Sequence, residues 1–146
     1  MSASRTNRPI SKVIAYADGA SRGNPGPSSY GVVLYDESER ELHRSCRAIG
    51  HATNNQAEYH GAIAALEAAL GLGAELVELR MDSELVVRQL SGRYRVRNPK
   101  LVPLHNRILA LRERFQRVVI AHVPRKLNKV ADALANEALD NAGTGS

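Results

Sequence analysis

The sequence predicts an α/β domain: a five-stranded mixed sheet, its first three strands antiparallel, flanked by helices. Three observations predict it. Five apolar runs, at 13–18, 30–36, 41–49, 76–81 and 118–123, have strand length. The first three follow one another through short polar links, as antiparallel hairpins do. Helical spacing separates the later runs, as in parallel strands joined by right-handed crossovers. A chain of 146 residues, 43% hydrophobic, is one domain's worth and enough for a core.

Taken in order, residues 1–11 are polar and patternless, a flexible N-terminal segment, and the folded domain is expected over 12–140. Strand 13–18 is followed by Gly-Asn-Pro-Gly-Pro at 23–27, a turn that ends regular structure. Strands 30–36 and 41–49 come next, and then a helix over 54–70 with Ala57, Gly61, Ala64, Ala65 and Ala68 on a small-residue face. Thr53 and Gln56 match a capping box at its start. Strand 76–81 leads into a short helix at 83–90. Asn98 and Pro99 then look like N-cap and first position of a helix on which Leu101, Leu104, Ile108, Leu111 and Phe115 recur at helical spacing. Strand 118–123 and a helix over 128–139, with Val130, Leu134, Ala135 and Ala138 inward, complete the domain. Residues 141–146 are expected as a flexible tail.

Twenty Lys and Arg against fifteen Asp and Glu give a formal charge of +5, which favours a polyanionic partner. One cysteine, Cys46, excludes an intrachain disulfide framework and fits a reducing compartment. No apolar run has the length of a signal peptide or a membrane span, so a cytoplasmic protein with no membrane partner is expected, by default a monomer.

Four carboxylates stand where a folded chain rarely puts them. Asp18 and Asp82 close strand-like runs, while Glu58 and Asp132 fall among core positions of Ala-rich helices. No run of Lys or Arg is spaced to neutralise all four, and unpaired buried carboxylates are costly. Parallel strands present their C-terminal ends at one edge, so Asp18 and Asp82 should emerge together, and helices packed beside that edge would bring in Glu58 and Asp132. Such a cluster suits hard divalent cations with oxygen ligands. Two local alternatives remain at this level: Asp82 as a helix cap and Glu58 as a solvated first-turn acid.

Tyr16-Ala-Asp18-Gly19-Ala-Ser21, Gly23-Asn24-Pro25-Gly26-Pro27, Thr53-Asn54-Asn55-Gln-Ala-Glu58, Asp82-Ser83 and Asn128-Lys-Val-Ala-Asp132-Ala-Leu134-Ala, in series, resemble ribonuclease H of type 1. The resemblance runs over 12–140. It implies a ribonuclease H-like fold and metal-dependent endonucleolytic cleavage of the RNA strand of an RNA–DNA hybrid, with two Mg2+ or Mn2+ ions per site. By the same resemblance Asp18 bridges both ions, Asp132 completes the water-activating site, and Glu58 with Asp82 holds the leaving-group site. Gly19, Ser21, Asn24, Asn54 and Asn55 would contact the hybrid and Thr53 a DNA-strand phosphate.

The chain also departs from that pattern. The basic, Trp- and Lys-rich protrusion of many bacterial members is absent; only 91–98, with Arg93, Arg95 and Arg97, fills its place. Members usually carry a histidine on a mobile loop after the last strand. His122 falls inside that strand, so Arg125 is the better candidate to reach the scissile phosphate, as a permanent cation with bidentate geometry. Asn128 is grouped with the substrate-binding residues, as a partner of Arg125 and a helix cap. A non-catalytic hybrid-binding module, or a DNA nuclease or strand-transferase on the same fold, are the alternatives.

Overall fold

The computed structural model describes residues 11–144. The expected N-terminal segment, Ser11 apart, and residues 145–146 of the expected tail lie outside the described residues.

Five strands, β1 (Lys12–Ser21), β2 (Gly26–Tyr35), β3 (Glu41–Ala52), β4 (Leu76–Met81) and β5 (Arg117–His122), form one sheet in the order β3-β2-β1-β4-β5. β1 to β3 pair antiparallel, and β1 with β4 and β4 with β5 pair parallel, as the order of elements predicts. The helices are α1 (Asn54–Gly71), α2 (Glu84–Leu90), α3 (Val102–Arg112) and α4 (Lys129–Thr144), with a 3-10 turn at Arg125–Leu127.

Alternation along the strands sends Val13, Ala15, Ala17, Val32, Leu34, Leu79 and Met81 to one face, where they join Tyr59, Leu66, Val86, Ile108 and Phe115 in the core. α4 packs on the other face, against β1, β2 and β3. Both capping-box bonds of α1 are present: Gln56 N–H donates to Thr53 Oγ1 at 3.1 Å and Thr53 N–H to Gln56 Oε1 at 2.8 Å. Among the described residues no helix is long and apolar enough to cross a membrane.

Several boundaries differ from the sequence expectation. β1 does not stop at Asp18 but runs on to Ser21, because its antiparallel ladder with β2 continues to Ser21–Ser28 after the parallel ladder with β4 has ended at Tyr16–Arg80. The Gly/Pro turn is correspondingly shorter, and β2 resumes at Gly26. α3 starts at Val102; Asn98 instead caps a separate turn, accepting from Lys100 N–H at 2.9 Å through its side chain. On α4, Val130 is 38% exposed and Ala131 takes the inward position. The helix also continues to Thr144, so residues 141–144 are its last turn rather than tail.

Candidate active site

The site forms where β1 outruns β4. With no strand on its β4 side there, the C-terminal half of β1 leaves Asp18 at an open edge, and Asp82 is the first residue past β4. Two glycines admit the helices that supply the other acids. A Cβ on Gly19 would lie 2.4 Å from Glu58 N and 2.5 Å from Ala57 C, so only glycine lets the first turn of α1 come this close. A Cβ on Gly31 would lie 2.2 Å from the Ala131 carbonyl oxygen, which makes glycine the condition for seating α4 and therefore Asp132. Ser29, buried in the same strand, donates to Ala135 O at 2.5 Å and fixes that helix further.

Oxygens of Asp18, Glu58 and Asp82 all lie within 4.8 Å of one another. Asp132 is outside that trio but lines the same open cleft of about 470 Å3, with Gly19, Ala20, Ser21, Asn54, Ser83, Arg125 and Asn136. Asp18 is 6% exposed and Glu58 2%. Gly19 N–H donates to Asp18 Oδ1 at 2.9 Å and also to Glu58 Oε1. Glu58 Oε2 is buried without a partner. Burial, followed by its contact with Glu58 and the charge of Asp82, pushes the Asp18 carboxyl far above the usual range, and burial also pushes Glu58 up. Among the ion pairs of the described residues none involves these acids.

The local alternatives for these acids fall away. Ser83, not Asp82, caps α2, its hydroxyl accepting from Val86 N–H at 3.3 Å. Glu58 is buried rather than solvated. Closely packed carboxylates, one oxygen of them without a partner, are a donor set that Mg2+ or Mn2+ would take. The residues fit that group.

The other anticipated residues divide. Gly19, Ser21, Asn54 and Arg125 line the cleft; Asn24, Thr53, Asn55 and Asn128 do not. Asn24 Oδ1 accepts from Asn54 N–H at 3.0 Å, bracing the turn against α1. Thr53 spends its hydroxyl on the cap. Asn128 is 1% exposed, and its amide donates to Asp82 Oδ2 at 2.9 Å and Ala17 O at 3.0 Å. His122 lines a separate pocket with Glu84, Arg88 and Arg93. Asn136 was not anticipated; it stands one turn after Asp132, the helical spacing that puts two residues on one face, and its Nδ2 donates to Asp132 O at 3.0 Å.

A mixed sheet with helices on both faces and acids gathered at the edge where β1 outruns β4 defines the ribonuclease H-like class. Residues 16–138 match the family described as reverse transcriptase-like. The crystal structure of RNase H1 from the halophilic archaeon Halobacterium salinarum superposes with a TM-score of 0.87 at 50% identity, covering 89% of this chain and 98% of that one. An RNase H1 from compost, LC11, solved in complex with an RNA/DNA hybrid, gives 0.85 at 44% identity over 89% and 98% of the two chains. The chain belongs to the ribonuclease H type 1 family. It is also 49% identical over 132 residues to a Mycobacterium tuberculosis relative named as a bifunctional protein, spanning 90% of this chain but only 36% of that one.

Proposed function

We propose that this chain is a metal-dependent endoribonuclease that hydrolyses the RNA strand of RNA–DNA hybrids. The observation that carries the proposal is the convergence of Asp18, Glu58 and Asp82 within 4.8 Å, with Asp132 in the same cleft. The hybrid bound by the LC11 relative supports the choice of substrate. Two Mg2+ or Mn2+ ions, when bound, supply water activation on one side of the phosphorus and stabilisation of the leaving oxygen on the other.

The chain's own groups then have distinct tasks. Asp18, central to the cluster, would be shared between the ions, Asp132 would serve the water-activating side, and Glu58 with Asp82 would serve the leaving-group side. Water adds to phosphorus as the P–O3′ bond breaks, leaving a 5′-phosphate and a 3′-hydroxyl. Arg125, on the cleft wall, meets the charge of the scissile phosphate. Gly19, Ser21 and Asn54 at the rim, with Asn55 beside them, face a shallow minor groove, where 2′-hydroxyls separate RNA from DNA. Asn24 holds Asn54 in place, and Thr53, half-buried at the head of α1, contacts a DNA-strand phosphate. The setting is the cytoplasm, and the working unit a monomer.

The test is cleavage of an end-labelled RNA strand presented as hybrid, as RNA duplex and alone, with Mg2+, with Mn2+ and with chelator. Metal-dependent cutting confined mainly to the hybrid, lost in Asp18→Asn while hybrid binding persists, is the expected result. Binding of hybrid without cutting under any metal would identify a binding module. Cutting of DNA duplexes or junctions in preference to hybrid would identify a DNA nuclease on this fold.

A further inference from the structure

We infer that Asn128 is a positioning residue: its side-chain amide holds Asp82 where a divalent cation needs it, and so sets cation affinity without touching substrate. This rests on the metal-dependent function proposed above.

Asn128 lies where the 3-10 turn after β5 meets α4. Its Nδ2 donates to Ala17 O and to Asp82 Oδ2. Both partners are acceptors, so the amide can face them only with its NH2 group. The consequence appears on the other side, where Asn128 Oδ1 is buried without a partner. An alanine or leucine would escape that penalty, so what singles out asparagine here is the donor.

That donor does something the sheet does not. The β1–β4 ladder ends at Tyr16–Arg80, two residues short of the acids, so no strand pairing fixes the spacing of Asp18 and Asp82. One NH2 group ties the carbonyl of Ala17, next to Asp18, to the carboxylate of Asp82. Among the described residues no other side chain donates to Asp82. The amide engages Oδ2 alone and carries no charge, so Asp82 is oriented without being neutralised; an arginine or lysine there would cancel the charge a cation requires. Asn136 stands in the same relation to Asp132, its Nδ2 lying 3.4 Å from Asp132 Oδ1. Asn128, Asp132 and Asn136 follow at intervals of four, the spacing of one helix face. Donors that orient metal-binding carboxylates are worth about ten- to a hundredfold in metal affinity or activity.

The experiment titrates Mn2+ calorimetrically into the parent protein, Asn128→Ala and Asn128→Leu without nucleic acid, with thermal melts in chelator and cleavage measured against Mg2+ concentration. Both variants are expected to bind Mn2+ at least about tenfold more weakly. They should need more Mg2+ for half-maximal cleavage, recover most of kcat when Mg2+ is saturating, and keep the KM for hybrid. Mn2+ affinity within about twofold of the parent, with only the melting temperature lowered, would show that Asn128 merely glues β1 to α4. If Asn128→Ala does not fold, the similarly sized Asn128→Leu carries the same comparison. A parent that binds no Mn2+ removes the metal-dependent function itself, a result separable from a parent and variants that bind equally, which overturns only the role of Asn128.

Discussion

Asp18 on β1 lies directly across the antiparallel ladder from Gly31 on β2. The pairing places a carboxylate beside the one position on β2 where the Ala131 carbonyl of α4 comes within 2.2 Å of where a Cβ would stand. Gly19, the next residue along β1, points to the opposite face and gives α1 the same close approach. Glycines on two neighbouring strands thus bring helices from both faces of the sheet to a single edge. That is why Glu58 and Asp132, seventy-four residues apart in the chain, reach the same cleft.

Gly31→Ala should therefore act on both stability and activity. The added methyl collides with backbone, which cannot rotate away, so α4 must shift. The expected loss is about 1–3 kcal/mol, or several degrees in Tm, with a larger fall in cleavage than in hybrid binding because Asp132 moves with its helix. A thermal melt and a cleavage assay on the purified variant check this. An unchanged Tm would mean that α4 is not seated as described.

Arg125 and His122 separate the two candidates for the group near the scissile phosphate. The 3-10 turn after β5 puts Arg125 on the wall of the carboxylate cleft, while His122, at the end of β5, lines the pocket beside α2. Arg125→Ala should lower kcat on the order of a hundredfold, as loss of a group that meets developing charge does, and His122→Ala should change it little. Steady-state kinetics on one hybrid, both variants side by side, would reverse the assignment if the histidine variant were the weaker enzyme.

Much of this was legible in the sequence because its signals are local. Apolar runs of strand length, the Thr53–Gln56 cap and the helical recurrence of Leu101 to Phe115 each depend on near neighbours. The misplaced features depend on partners far along the chain. β1 overruns Asp18 because β2, not β4, continues to pair with it. Asn98–Pro99 has the local chemistry of a helix start, yet its side chain closes a turn before α3. Val130 and Ala131 are adjacent, and which of them faces inward is decided by how α4 lies over Gly31. The carboxylates were conspicuous as apolar-context acids, whereas Asn128 and Asn136 are ordinary residues whose role shows only in what their amides hold.

The proton affinity of the cluster predicts how stability should depend on pH and on metal. Burial pushes both Asp18 and Glu58 up, and for Asp18 the neighbouring acids add to it. A carboxyl raised in the folded state binds more protons folded than unfolded, so the contribution of these two groups to stability is fully present below their unfolded values of about 4 and is lost as pH climbs toward the folded ones. In chelator, Tm should therefore decline from about pH 5 to about pH 8, and Asp18→Asn, which removes the most strongly raised group, should flatten the decline. Saturating Mg2+ should raise Tm more at the alkaline end, since ionised carboxylates bind the cation and protonated ones do not. Melting curves across that range, with chelator and with Mg2+, decide the matter. A Tm in chelator that rises with pH, or a Mg2+ effect of equal size throughout, would mean that Asp18 and Glu58 are already ionised and compensated by the protein.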